Sequence, residues 1–363
     1  MEWATLGQPQ GQIEGSPDRA EVLEQFHRRT QIRRMRELAE AALSAYDLPR
    51  TRLTLLAHLF NTTFRVDTAT GQRYVLRIHR AGTPTVDTVS AELAWLAALR
   101  RDTPLEVPTP VPTTAGTLLT EATTPRLPRP HICVLFRWLP GRLLRRGLTP
   151  RYLERIGELM ARLQDHAVRW GPPSGFARGR VDSPIDTARW LPDPFAPEVL
   201  TDIHALVADT LSEAEAAQVT AVLARVQAVQ RALGQGADTF GLVHADLHYG
   251  NLLFAGGAVR PIDFDDCGFG PWLYDPAVML RPLLGREAYP ALRAALLSGY
   301  RRVRPLPAEH EAHLDTFIAL RQVQDAIWVL ESRRHPAIAD DWATQARQYL
   351  ASLPALLPDA DIF

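Results

Sequence analysis

The apolar positions of the chain fall into two regimes. From Leu53 to Trp138 they come in short runs, and from Leu153 onward they recur mostly at helical spacing. Residues 1–19 are polar and contain Gly and Pro, which predicts a disordered lead-in. Residues 20–46 read as a helix with Leu38, Ala41, Ala42 and Tyr46 inward and the arginines at 28, 29, 33, 34 and 36 on a solvated face. Leu53–Leu56, Thr63–Asp67 and Tyr74–His79 read as strands, the third entered through the turn Ala69-Thr70-Gly71. Alternation puts Tyr74, Leu76 and Ile78 on one face of that strand and Val75, Arg77 and His79 on the other. Thr85–Arg101 follows as a helix with Val89, Leu93 and Leu96 in register and Glu92 inward or along the edge. Ile132–Phe136 is a further strand, ended by Leu139-Pro140-Gly141.

Beyond it, Leu153, Ile156, Met160 and Leu163 mark a helix, and Gly171–Pro197, dense in Gly and Pro, predicts a long loop or insertion. Val199–Leu233 gives one or two helices, with others at about 288–303, 309–333 and 340–352. Phe240–Val243 is a short apolar run. Leu252–Phe254 and Val259–Ile262 read as two short strands around the turn Ala255-Gly256-Gly257-Ala258.

Composition narrows the class. With 363 residues and 46% apolar content the chain can hold one large two-lobed domain or two ordinary ones. A net charge of −1 implies no global attraction to nucleic acid or to an anionic membrane. No apolar run has the length of a membrane span. Met1-Glu2-Trp3-Ala4 has neither the basic start nor the apolar core of a secretory signal, so a cytoplasmic location is expected. Two cysteines, Cys133 and Cys267, supply no framework of bridges. All 40 basic residues are Arg and none is Lys, so any phosphate contact that calls for a fixed cation falls to an Arg or to nothing.

The chemistry concentrates in His244-Ala245-Asp246-Leu247-His248-Tyr249-Gly250-Asn251 and Ile262-Asp263-Phe264-Asp265-Asp266. An Asp, an Asn five residues later and a second Asp twelve beyond that match the spacing of a kinase catalytic loop and its metal-binding Asp. In phosphoryl transfer one carboxylate orients the attacking hydroxyl, while an amide and a second carboxylate hold Mg²⁺ on the phosphates of the nucleotide. Asp246 is therefore the candidate catalytic group and Asn251 and Asp263 the candidate Mg²⁺ ligands. The hairpin between them would return Asp263 beside Asn251. Asp265 either supports the metal and substrate or caps a turn, and His248 either orders the loop or touches a phosphate. Arg77 stands on the third strand where kinases carry a phosphate-binding Lys, with Glu92 as its ion-pair partner; an edge-strand Arg facing water is the alternative. The turn His58–Phe64 has no Gly, so Asn61, Thr62 and Thr63 would have to donate side-chain hydrogen bonds to phosphate; an ordinary hairpin turn is the competing reading.

These two segments resemble the aminoglycoside phosphotransferase and choline kinase-like superfamily, with the homoserine kinase and stress-response kinase branch nearest in motif, over residues 35 to 330. The resemblance implies an α+β, protein kinase-like two-lobed fold: a small β-rich lobe, residues 20–138, and a larger helical lobe, residues 139–363, that carries the catalytic loop and acceptor site. It implies that Phe136 and Trp138, in a connector Phe136-Arg137-Trp138-Leu139, contact the adenine of ATP, and that Asp275 stabilises the catalytic loop. The expected activity is ATP- and Mg²⁺-dependent transfer of the γ-phosphoryl group to the hydroxyl of a small molecule such as an amino alcohol, a sugar or an aminoglycoside-like compound. A protein Ser/Thr acceptor and a non-catalytic nucleotide-binding scaffold remain alternatives. The acidic stretch Glu309, Glu311 and Asp315 would suit a cationic acceptor, though such helices are usually solvated.

Overall fold

A computed structural model describes residues 19–357 except 50, 60, 83, 145–146, 192 and 334–340, so the expected lead-in falls almost wholly outside the described residues. The chain divides into two compact units: Met1–Ala97 with Pro108–Leu139, and Ala98–Val107 with Pro140–Phe363. The short segment 98–107 thus groups with the second unit.

The first unit is built on α1 (Arg19–Leu43), β1 (Thr51–His58), β2 (Thr62–Thr68), β3 (Arg73–Ile78), most of α2 (Val86–Asp102), β4 (Thr120–Thr124) and β5 (Leu127–Arg137). The five strands form one antiparallel sheet in the order β1-β2-β3-β5-β4. Leu38, Ala39, Ala42, Leu43 and Tyr46 of α1 and its C-terminal turn pack on Phe64, Val66, Tyr74, Leu76, Ile78 and Leu135. The buried stripe follows the helical period through residues 38, 39, 42 and 43, which leaves Ala41, expected inward, on the exposed side. On β3 the expected alternation holds, with Tyr74, Leu76 and Ile78 in the core. The opposite face is covered as well: Arg77 is 5% and His79 1% exposed. β3 is the central strand, so Arg77 is not an edge residue facing water. β5 extends further than expected in both directions and includes Phe136 and Arg137, paired with Val75 and Tyr74. The connector therefore starts only after Arg137.

The second unit continues with β6 (Arg142–Leu143), α3 (Pro150–Trp170), α4 (Pro197–Ala208), α5 (Glu213–Leu233), β7 (Phe240–Val243), β8 (Leu252–Ala255), β9 (Ala258–Pro261), β10 (Gly268–Pro271), α6 (Tyr274–Leu280), α7 (Tyr289–Arg301), α8 (Ala308–Glu311), α9 (Leu314–Glu331), α10 (Trp342–Leu350) and α11 (Leu353–Leu356). β7 pairs with β10, and β6-β8-β9 make a second small sheet. α3 buries Leu153, Ile156, Met160 and Leu163, the stripe expected from sequence, and lies against α7 at very close range. A Cβ on Gly157 would fall 2.0 Å from the Leu296 carbonyl oxygen, and one on Gly299 would fall 1.9 Å from that of Glu154. The buried Tyr300 hydroxyl on α7 donates to Gln164 Oε1 on α3, and Gln164 Nε2 donates to the Trp272 carbonyl at 2.9 Å. The helix pair is thereby tied to the segment leading into α6. α9 runs through the interior with Leu314, Phe317, Ile318, Leu320, Val323 and Leu330 fully buried. Between α3 and α4 the chain is irregular apart from a 3₁₀ turn at Asp186–Trp190, as its Gly and Pro content predicts. Among the described residues no helix is long and apolar enough to cross a membrane.

Candidate active site

In the first unit the Arg77 guanidinium, on β3, meets Glu92 of α2 at 2.5 Å, with side chains only 6% and 2% exposed. The guanidinium also lies over the Phe136 ring, 5.1 Å from its centroid. The sequence-derived pair therefore exists, and Phe136 flanks the cation from β5. Trp138 is half-buried and its amide donates to the Arg73 carbonyl at 3.1 Å. At the β1–β2 turn, Thr62 is 3% exposed and its hydroxyl is engaged with His58 Nδ1 at 2.9 Å, while His58 and Thr62 are ladder partners. The Asn61 carbonyl accepts from the Leu59 amide at 3.1 Å, and Thr63 pairs with Arg77 across β2–β3. The Thr62 side chain is thus spent on His58.

In the second unit β7 delivers a tightly wired loop. His244 is fully buried and Ala245 takes a left-handed backbone, φ +71°, a conformation costly for a residue with a Cβ. What holds it is Asp275 at the start of α6, whose carboxylate accepts from the amides of His244 at 3.2 Å and Ala245 at 2.8 Å. Burial pushes the Asp275 carboxyl up to about 6, against the pull of those two amides. His244 Nε2 donates to the Ile262 carbonyl at 3.1 Å and its Nδ1 faces the Asp246 amide at 3.4 Å, which fixes the neutral Nε2–H tautomer. Burial accordingly holds the His244 pKa down to about 4.

Asp246, 22% exposed, leaves this turn with its carboxylate held by its neighbours. Asn251 Nδ2 donates to Asp246 Oδ2 at 2.8 Å and to its carbonyl at 3.0 Å. His248 Nε2 stands 3.5 Å from the same Oδ2, and its Nδ1 accepts from the Gly250 amide at 3.0 Å. Gly250 is required here, since a Cβ would lie 2.4 Å from His248 Cε1. Burial pushes the Asp246 carboxyl up, but His248, Arg321 and His244 together outweigh it and leave it below the usual carboxylate range.

The β8–β9 hairpin then brings the second acidic segment back: the Ile262 amide donates to the Asn251 carbonyl at 2.9 Å. Asp263, the next residue, is exposed and also left-handed, φ +66°. Since Asn251 spends its amide NH₂ on Asp246, its Oδ1 remains an acceptor. An amide oxygen on Asn251, and an exposed carboxylate one residue past the Ile262 amide that bonds to Asn251, are a donor set suited to a hard divalent cation.

Three arginines at this site escaped the sequence reading. Arg178 donates to the carbonyls of Asp265 at 2.8 Å and Phe264 at 3.2 Å, and Arg189 to that of Asp266 at 2.9 Å. Both come from the irregular segment before α4, so the apparent insertion is a clamp on the acidic segment. Asp265 is half-buried, and its main chain is part of that clamp. Arg321 on α9 faces Asp246 Oδ1 at 3.4 Å. Among 40 arginines nothing local singles these out; only their positions in the fold do. The acidic stretch 309–315 is not an open anionic surface: Glu311 pairs with Arg301 and Asp315 with Arg293.

The chain has two compact units, with Asp246, Asn251 and Asp263 all in the second, and comparison with known proteins shows the family. The phosphotransferase enzyme family matches residues 52–313, and the chain belongs to that family. A structure of the microcompartment-associated aminopropanol kinase is similar with a TM-score of 0.75 at 29% identity, covering 90% of this chain and 99% of that one. An amicoumacin kinase in complex with AMP-PNP, Ca²⁺ and Ami shares the fold with a TM-score of 0.67 at 19% identity, over 93% and 96% of the two chains. In sequence, the amicoumacin kinase of Bacillus subtilis is 38% identical over 60 residues, and the homoserine kinase of Neisseria meningitidis serogroup B is 38% identical over 80 residues. Those stretches are 16% and 21% of this chain and only 18% and 26% of the relatives' own lengths.

Proposed function

We propose that this phosphotransferase moves the γ-phosphoryl group of ATP to the hydroxyl of a small amino alcohol or a related hydroxyl compound. The observation that carries the reading is Asp246: a carboxylate kept ionised, with one oxygen anchored by Asn251, beside a hairpin that ties Ile262, the residue before Asp263, to Asn251. Asp246 accepts the hydrogen bond of the acceptor hydroxyl and orients its oxygen toward the phosphorus. As the new P–O bond forms and the bond to ADP breaks, the hydroxyl proton passes to Asp246 and from there to solvent. Asn251 and Asp263 would hold Mg²⁺, which supplies charge neutralisation on the phosphates when bound. Arg77, fixed by Glu92, is the phosphate-contacting cation in a chain without Lys, and Phe136 and Trp138 are assigned to the nucleobase side. Asp275 holds the strained Ala245 turn and His248 steadies Asp246; Asp265 supports the acidic segment.

The small-molecule class is favoured over a protein Ser/Thr acceptor by the likeness to the aminopropanol kinase along nearly its whole length. A non-catalytic scaffold would not need Asp246, Asn251 and Asp263 together. The test is transfer from labelled ATP with Mg²⁺ to a panel of 1-amino-2-propanol, homoserine, aminoglycosides and Ser/Thr peptides. Phosphate appearing on an amino alcohol is the expected result. Label found only on peptides, or nucleotide binding with no transfer to anything, would reverse the assignment.

A further inference from the structure

The two oxygens of Asp246 are not equivalent. Oδ2 takes the Asn251 amide at 2.8 Å and faces His248 Nε2 at 3.5 Å. Oδ1 has Arg321 Nη2 before it at 3.4 Å. Arg321 reaches it from α9, a helix whose buried face fixes where its side chains start. The guanidinium itself faces two further groups. Its Nε lies 3.2 Å from Asp325 Oδ1 one turn along the helix, and Asp325 Oδ2 faces Arg281 Nε at 3.0 Å. Its Nη1 faces the Tyr274 hydroxyl at 3.4 Å. That hydroxyl donates to Gln324 Oε1 at 2.7 Å, and Gln324 Nε2 donates to the carbonyls of Val181 at 2.9 Å and Ser183 at 2.7 Å.

Resting on the transfer reading of Asp246, we infer that Arg321 is a positioning residue for phosphoryl transfer. It sets the plane of the Asp246 carboxylate from the Oδ1 side while leaving that oxygen open to the acceptor hydroxyl. The physical basis is a division of labour. A carboxylate tethered at one oxygen can still turn about Cβ–Cγ, and a fixed cation on the second oxygen stops that rotation. At 3.4 Å the contact is longer than a good charge-assisted hydrogen bond, so Oδ1 keeps a lone pair for the acceptor while the charge still acts on it. Arg321 is 23% exposed, close enough to the surface for an acceptor to come beside it. The chain Arg281–Asp325–Arg321–Asp246 alternates in sign, so each guanidinium and each carboxylate sits next to its opposite.

The experiment uses the full chain with ATP and Mg²⁺, 1-amino-2-propanol and homoserine as acceptors, and ADP formed by phosphoryl transfer to water as the acceptor-independent readout. Arg321→Ala is expected to lower kcat by roughly 10²-fold, the size of a misplaced catalytic group, with KM for ATP unchanged. Arg321→Lys should recover part of the loss, because it restores the charge without the fork that spans Asp325 and Asp246. Methylguanidinium added to Arg321→Ala should raise its turnover and leave the wild type unaffected. Wild-type kcat in Arg321→Ala overturns the inference and leaves the transfer reading standing. So does a loss that merely follows the folded fraction in thermal melts and does not respond to methylguanidinium, which would make Arg321 a structural tie. A wild-type protein that turns over neither the acceptors nor water removes the transfer reading and this inference together.

Discussion

At the scale of single residues, the ionised groups sort by what surrounds them. Asp246→Ala removes the group proposed to orient the acceptor and collect its proton, so on that proposal transfer should fall by at least about 10²-fold. Calorimetric ATP affinity should hold, and a variant with normal turnover would take Asp246 out of the mechanism. Arg77 and Glu92 are a different kind of pair, buried and mutually dependent. Glu92→Ala strands a guanidinium in the interior and should cost about 3–5 kcal/mol of stability by denaturant titration, more than a surface ion pair returns. His244 makes a signed prediction. Its pKa is about 4 in the folded chain against an ordinary 6.5, so between those values the unfolded chain binds the extra proton. Its contribution to stability is present above pH 6.5 and is lost as pH falls through 4. Asp275, raised to about 6, works the other way between 3.8 and 6. The comparison that isolates His244 is therefore wild type against His244→Gln, whose acid limb should be flatter; identical limbs would show that His244 is not the titrating group.

At the scale of elements, the close approach of α3 and α7 depends on two glycines facing main chain. Gly157→Ala or Gly299→Ala places a methyl where a carbonyl oxygen stands. Either should lower stability by about 1–3 kcal/mol or more, seen as a drop in melting temperature. Melting unchanged from wild type would mean that the helices separate at no cost. Much at this scale was legible in the sequence. The Leu153, Ile156, Met160, Leu163 stripe and the β3 alternation were both readable, because burial on a helix or strand leaves a period. What was not legible had no period to leave. β4 is Thr120-Glu121-Ala122-Thr123-Thr124, with Ala122 alone buried, so it carries no apolar alternation. β5 begins in Leu127-Pro128-Arg129-Pro130, which reads as loop. The partnership of α3 with α7 lies in glycines, whose signal is an absence of side chain. In the candidate site, the spacing of Asp246, Asn251 and Asp263 was plain, and so was the Arg77–Glu92 pairing. Arg178 grips carbonyls, which every residue has, while Arg189 reaches the carbonyl and carboxylate of Asp266 across 77 positions of sequence and Arg321 faces Asp246 across 75.

At the scale of the whole molecule, the residues given proposed roles fall in both units: Arg77 and Glu92 in the first, and Asp246, Asn251 and Asp263 in the second. The assignment of Asp263 can be checked on the intact chain by titrating Mg²⁺ against nucleotide affinity. Asp263→Ala should weaken the metal's effect on nucleotide binding, and a titration superimposable on that of the wild type would count against it. The all-arginine composition belongs to this scale too, since none of the 40 Arg side chains, unlike a Lys, can shed its charge near neutral pH. The clamp on residues 264–266 has its own bearing on how such an enzyme diversifies. A grip on main-chain oxygens is blind to the identity of what it grips. That holds for Arg178 at Asp265, where the side chain can be exchanged over evolutionary time without loss of this grip, but not at Asp266, whose carboxylate Arg189 also faces at 3.4 Å.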